Sequence, residues 1–297
     1  MSRQGEFMKT AIMTDTNSGI TVEEGRRLGI YVLSMPVIIE EQYYLEGVDV
    51  TNEQLYQAML SDKELSSSQP SPGDVMDMWD RILNDGFEEI VYIPMSSGLS
   101  GSCHSAMQFA LEYGSRVQVA DNHRISVTLM ESVLDAKVLA DQGKSASEIK
   151  EYLEKTAYQA SIYVTVNSLK YLKKSGRITP SAAAIANILN IKPVLTIQGE
   201  KLDLCAKVRG IRQSEKKMIE AIQTDIAARF PEIPSNRLKI GAAGTFEKRE
   251  DAENWLQLVR AAFPECNVYY IPLSCSIACH VGMNAAGIGV SVIAERG

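Results

Sequence analysis

Residues 89–110 read EIVYIPMSSGLSGSCHSAMQFA. The first five, Glu89 to Ile93, are β-branched, aromatic or apolar apart from the leading acid, and they read as a buried strand. After Pro94, residues 95–102 are serine and glycine punctuated by Met95 and Leu99. Ala106, Phe109 and Ala110 then recur at helical spacing. A strand running through a Ser/Gly loop into a helix is the repeating unit of an α/β sheet. The fold class expected is therefore α/β, with a mostly parallel sheet covered by helices on both faces. Ligands in such sheets sit beyond the carboxyl ends of the strands, where residues 94–102 lie.

The same alternation extends in both directions. Residues 10–14 and 32–39 read as strands. Thr51 with Gln54, and Ser145 with Glu148, have capping-box spacing ahead of apolar helices. Ser71-Pro72 starts the helix carrying Val75, Trp79, Ile82 and Leu83, because proline is tolerated at the first helical position. Residues 117–120 make a further strand, and Ser126 to Asp141 a helix closed by Gly143. Beyond about Tyr158 the pattern changes. Residues 161–166 read as a strand, and Thr179-Pro180 opens a small-residue helix over 181–189. Residues 193–197 and 202–205 flank Gln198-Gly199-Glu200-Lys201, a hairpin signal. A long helix follows through Met218, Ile219, Ile222 and Ile226. Residues 238–243 and 268–271 are strands on either side of the helix bearing Trp255, Leu258 and Val259, and residues 287–294 close as a strand. Two domains are expected: residues 8–158, and a mixed-sheet α/β unit over 159–297. Residues 1–7 look like a leader, with Met8 as the native start.

The chain has 297 residues, 45% hydrophobic and 23% charged, ample for two cores. Its net charge is −7, and the densest basic run holds only Lys170, Lys173, Lys174 and Arg177. Nucleic acid is not an expected partner. No apolar run reaches the roughly eighteen residues of a membrane span. The five cysteines (Cys103, Cys205, Cys266, Cys275 and Cys279) form no C-x-x-C pair. Cys275 and Cys279 stand four apart beside His280, but a structural zinc needs four ligands and no second cluster exists. No metal is expected. Free thiols point to a reducing, cytoplasmic setting.

Four polar loops border apolar segments. In residues 66–71, Ser71 suffices as a helix cap, so Ser66, Ser67, Ser68 and Gln69 are in excess. Hydroxyls beside a helix N-terminus suit an anion. Residues 94–102 would cradle a phosphate or carboxylate, but they are neither a Walker loop nor a G-x-S-x-G elbow. Residues 173–178 read as a basic helix end. The last loop holds His280, which taken alone reads as a core histidine.

Together these loops resemble the DegV family from Met8 to the C-terminus. The family's opening Asp-Ser/Thr turn is matched by Thr14-Asp15-Thr16-Asn17-Ser18-Gly19. Its Thr-Ser-Gln-Pro segment is matched by Ser67-Ser68-Gln69-Pro70. Its Ser-Ser-Gly-Leu-Ser-Gly-Thr loop is matched by residues 96–102, and its Gly-Arg-Ile after Leu-x-x-Leu by Gly176-Arg177-Ile178 after Leu169 and Leu172. Its closing His-x-Gly-Pro-Gly-Ala-x-Gly is matched loosely by residues 280–287, with Met283-Asn284 in place of Pro-Gly. The resemblance implies a two-domain α/β fold with a ligand tunnel between or within the domains. It implies a buried long-chain fatty acid, no cofactor, and no chemistry on the ligand. The carboxylate would be held by Ser67 with Ser68, and by Ser96 with Ser97, with Arg177 and His280 near the head group. In the fatty-acid kinase branch the acid is presented to a partner kinase for acyl-phosphate formation and phospholipid synthesis, and Arg209 matches a position implicated in docking that kinase. Membrane contact would be transient, for exchange of the acid. Met95, Ala182 to Ala184, Ile188 and Met283 are candidates for tunnel walls.

A chain of about sixteen carbons buries on the order of fifteen methylene and methyl groups, about 12 kcal/mol gross. Association and ordering take back several of these. The head group then mainly has to be kept from lying unpaired in an apolar interior. Two other classes compete. A serine acyl hydrolase or acyltransferase would use Ser67, Ser96 or Ser97 with His280, oriented by Asp15. A nucleotide or phosphate binder would use residues 96–102, but the P-loop lysine is missing.

Overall fold

A computed structural model describes residues 9–185 and 191–295. In chain order its elements are β1 (Thr10–Asp15), α1 (Val22–Leu28), β2 (Ile30–Leu33), β3 (Pro36–Ile39), β4 (Gln42–Leu45), α2 (Asn52–Leu60), β5 (Leu65–Ser67), α3 (Pro72–Asn84), β6 (Glu89–Ile93), α4 (Ser102–Ala110), β7 (Val117–Val119), α5 (Ser126–Asp141) and α6 (Ala146–Lys155). The second half adds β8 (Ala160–Thr165), α7 (Lys170–Ser175), α8 (Pro180–Ala183), β9 (Ile191–Ile197), β10 (Asp203–Arg209), α9 (Ile211–Arg229), β11 (Leu238–Gly244), α10 (Arg249–Ala262), β12 (Asn267–Pro272), α11 (Cys275–Val281) and β13 (Ala286–Val292). The leader reading of residues 1–7 lies outside the described residues. So does most of the far end of the small-residue helix, including Ile188; its described part, α8, is a single turn started by Thr179 and Pro180.

Three sheets form. Strands β2-β1-β6-β7 are parallel throughout. Strands β10-β9-β8-β13-β11-β12 form a mixed sheet, antiparallel except for the β11–β12 pair. Strands β4-β3-β5 make a small antiparallel sheet. That third sheet corrects the expectation of one strand over 32–39. The chain leaves the parallel sheet at Leu33, passes Ser34-Met35, and re-pairs from Pro36, which tolerates a strand start because it lacks only a donor.

Every residue of β1 is buried, as a strand covered on both faces requires. Helix α5 packs against β1 as well as β8, β11 and β13, so it lies between the parallel and mixed sheets. That explains why Val127, Leu129, Val133 and Ala136 around its circumference are all buried. One core runs through both halves, joining Ile12, Val91 and Leu129 to Ile162, Val164, Leu195 and Ala285. A smaller core sets Val37, Val50 and Leu55 of the first half against Cys275, Ala278 and Cys279 of α11.

Candidate functional site

Between the sheets lies a cavity of about 340 Å³. Ile125, Val127, Ile162, Val164, Ile197, Leu202, Ala243 and Ile288 make most of its wall aliphatic. Its polar side chains are Ser67, Ser68, Gln69, Ser100, Ser126, Arg177, Ser276 and His280.

Ser67 is the last residue of β5, held by antiparallel pairing with Val37 of β3. Ser71 closes a capping box with Asp74, accepting its amide at 3.1 Å while Ser71 donates to the Asp74 carboxylate at 2.7 Å. The cap thus consumes Ser71 and leaves Ser67, Ser68 and Gln69 for the cavity. His280 comes from the opposite half. It sits in α11 rather than in a loop, which corrects the sequence reading. Its Nε2 lies 2.7 Å from the Ser67 hydroxyl. Its Nδ1 is buried and has no protein partner among the described residues. Burial, then the Arg177 cation, push the His280 pKa down to about 4, so the ring is neutral at pH 7.

Arg177 follows α7 after Gly176, whose left-handed φ of 69° turns the chain at the helix end. The Arg177 guanidinium donates to the Ser175 carbonyl and to the Leu99 carbonyl, the latter at 3.4 Å. No carboxylate lies within 4.0 Å of it among the described residues. An unpaired cation beside a neutral histidine and two serines leaves this end of the cavity favourable to one negative charge.

Residues 94–102 reach the cavity through Met95, Leu99, Ser100 and Gly101. Ser96 and Ser97, the second expected hydroxyl pair, do not line it. Ser96 is fully buried and its hydroxyl donates to the Gly199 carbonyl at 2.5 Å. Ser97 lines an adjoining open groove that shares Leu99, Ser100, Gly101 and Arg177 with the cavity. The reason is the approach of the β9–β10 hairpin turn. A Cβ on Gly98 would stand 2.3 Å from the Gly199 carbonyl oxygen. Only glycine lets the two backbones meet, and Ser96 seals the contact.

Asp15 does not orient His280. Its carboxylate accepts from the Met95 amide at 3.1 Å and the Asn17 amide at 2.9 Å, and burial raises its pKa to about 6. Arg209 ends β10, the exposed edge of the mixed sheet. Of the wall candidates, Met95 lines the cavity. Ala182 is buried in the core, and Ala183, Ala184 and Met283 are likewise absent from the cavity wall. Ser276, Ile277, Ser126, Ala243 and Ile288 were not anticipated. Ser276, Ile277 and His280 share one face of α11, a one-four spacing visible only once that segment is read as a helix. Among the described residues no group of three or more His, Cys, Asp or Glu is placed to hold a metal, and no helix is long and apolar enough to cross a membrane.

Residues 9–292 match the model of the DegV family, described as one of uncharacterised proteins. A DegV domain-containing protein of Deinococcus radiodurans is 34% identical over 73% of this chain and 77% of its own length. A solved structure titled for fatty acid binding of a DegV family protein from Thermus thermophilus superposes with a TM-score of 0.85 at 24% identity, over 96% of this chain and 100% of that one. A fatty acid binding DegV family protein from Streptococcus agalactiae gives a TM-score of 0.82 at 25% identity, over 95% and 98% of the two chains.

Proposed function

The chain belongs to the DegV family, and on that premise we propose that it binds a single long-chain fatty acid, its acyl chain in the cavity and its carboxylate at Ser67. One observation carries this reading: an aliphatic cavity with hydroxyls, a neutral histidine and an arginine among its lining side chains. At about 340 Å³ it falls within the usual ligand-pocket range of about 300–1,000 Å³.

The Ser67–His280 contact suits a carboxylate. With Nε2 protonated, His280 donates to the Ser67 oxygen, and the Ser67 proton is free for the ligand. That tautomer leaves Nδ1 as an acceptor without a partner, a lesser penalty than a buried N–H with none. Ser68 and Arg177 supply the remaining polar environment. Hydroxyl donors keep the head group soluble in the interior without the bidentate clamp that would slow its release. The protein itself does no chemistry on the acid. It presents the acid to a partner fatty-acid kinase, for which Arg209 on the exposed edge strand is the docking residue, and its free thiols suit a cytoplasmic setting.

Native mass spectrometry of protein purified from a bacterial host tests the reading. A co-purified acyl chain is expected. A protein that arrives empty and takes up no added palmitate overturns it.

A second reading has one observation in its favour. Ser67 and His280 are within the distance of a nucleophile and its base, as a serine acyl hydrolase needs. The pairing is with Ser67, not Ser96 or Ser97, and nothing orients Nδ1 among the described residues. A covalent fluorophosphonate adduct, lost in Ser67→Ala, would establish it.

A further inference from the structure

Outside the cavity wall, the first half of the chain grips the start of α11 at several points. Glu46, just after β4, is buried. One of its carboxylate oxygens accepts from the Cys275 backbone amide at 2.6 Å, the first residue of α11. The other accepts from the Thr16 hydroxyl at 2.8 Å, and Thr16 in turn accepts from the Met35 amide at 3.2 Å. Ser274, the N-cap of α11, donates to the Asn17 side-chain oxygen at 3.0 Å. The Cys275 thiol donates to the Asn52 side-chain oxygen at 2.9 Å. Helix α11 has only seven residues, so its own hydrogen bonds cannot hold it rigid. These contacts fix its first turn, beside the apolar packing of Cys275, Ala278 and Cys279, and His280 rides five residues beyond Cys275.

We propose that Glu46 is a positioning residue for the head-group site: by fixing the first turn of α11 to Thr16, it sets where His280 meets Ser67. The inference rests on the fatty-acid reading for its consequence, though not for its geometry. Glu46 touches neither the cavity nor the ligand. It acts on binding only through the helix.

The carboxylate is an economical anchor. An acceptor at a helix N-terminus meets amides that no residue within the helix can pair. A carboxylate accepts at both oxygens and so joins two donors from different elements. Burial, opposed by the bonds from Cys275, Thr16 and Ser276, raises its pKa to about 7, with Asp15 a lesser contribution in the same sense. Around it stand Asp15, Glu53, Tyr56, Cys275 and Cys279. Asp15 is pushed up to about 6, and Tyr56, Cys275 and Cys279 are pushed well above neutrality. Protonated, Glu46 would have to donate to Thr16 instead of accepting from it, so the anchor has two arrangements on either side of neutral pH.

Imidazole NMR of the full-length protein, its three histidines labelled and His280 assigned with His280→Gln, reads the coupling directly. The wild-type His280 signals should shift with a midpoint near pH 7, although the ring itself titrates near 4. Glu46→Gln should abolish that step and weaken palmitate retention about threefold to tenfold at pH 8. His280 signals that do not follow Glu46, or a Glu46→Gln protein with wild-type signals and affinity, would overturn the assignment. So would weakened binding with unmoved His280 signals, since that is a general structural loss. Should Glu46→Gln fail to fold, Thr16→Val removes the hydroxyl from the same carboxylate, so the His280 step should move to higher pH, and an unmoved step would overturn the assignment. A wild-type protein that ignores palmitate defeats the fatty-acid reading alone, because the histidine signals still decide the role of Glu46.

Discussion

Ser67 and His280 are separated by 213 positions in the chain, yet Oγ and Nε2 are 2.7 Å apart. The first ends a strand of the small antiparallel sheet, and the second lies in a short helix packed on that sheet. The pair therefore forms only when the two halves of the chain are docked.

Ser67→Ala should weaken fatty-acid retention by about 1–3 kcal/mol, because it removes a donor from the head group and strands His280 Nε2. Isothermal titration with palmitate measures it. An unchanged affinity would place the carboxylate elsewhere on the cavity wall.

The pH dependence of stability carries the signature of His280. Its folded pKa of about 4 lies below the ordinary 6.5, so the unfolded chain binds the extra proton between those values. The stability His280 contributes is present above about pH 6.5 and is lost as pH falls toward 4. Asp15 and Glu46 have raised values, about 6 and 7, and act oppositely: their contribution is present at low pH and is lost as pH rises through those values. His280→Gln removes only the first effect. Relative to wild type, the variant should gain roughly 1–3 kcal/mol at pH 4.5 compared with pH 7.5. Urea midpoints at the two pH values give the comparison. Identical pH profiles would mean that folding does not lower the His280 pKa.

Much of this was legible in the chain. Capping boxes at Thr51 and Ser145, and Ser71 followed by Pro72, fix three helix starts from residues no more than three apart, and all three form. The alternation of residues 89–119 reads directly as strand, loop, helix and strand. What failed was non-local. Residues 32–39 form one mostly apolar run, but the strand that restarts at Pro36 pairs with Leu45 of β4 and, from Val37, with β5 some thirty residues on. Helix α11 hid because its seven residues are short and apolar, and the groups it packs against and bonds to stand far off in the chain, Glu46 among them at 229 positions away. The Ser96 hydroxyl looked available until the Gly199 carbonyl arrived from the other half. A sequence shows which groups need partners; it does not show which distant group supplies them.

Gly98→Ala should destabilise the fold by about 1–3 kcal/mol, an overpacking cost. The added methyl would stand 2.3 Å from the Gly199 oxygen and 2.7 Å from the Glu200 Cα, both backbone atoms with little freedom to yield. Ser96→Ala should cost about 1 kcal/mol by leaving that carbonyl short of its donor. Thermal melts decide both. A Gly98→Ala protein as stable as wild type would mean that the loop and the hairpin turn are not in contact.

Chain length offers the sharpest test of where the acyl group lies. Ala243 of β11 is buried, lines the cavity, and pairs across the sheet with Gly287 of β13. Ala243→Leu adds three carbon atoms to a space of about 340 Å³. Each ligand methylene forced out loses about 0.8 kcal/mol of burial, so excluding two or three weakens the longest acids by about 1.5–2.5 kcal/mol. Acids short enough not to reach Ala243 should bind as before. Ser67→Ala acts differently, lowering affinity by a similar factor at every length, because it touches only the end common to all of them. A competition series from about ten to eighteen carbons therefore separates wall from head group without a ligand-bound structure. If both variants shift the series uniformly, the chain does not pass Ala243, and the assignment of the aliphatic wall to the acyl tail fails.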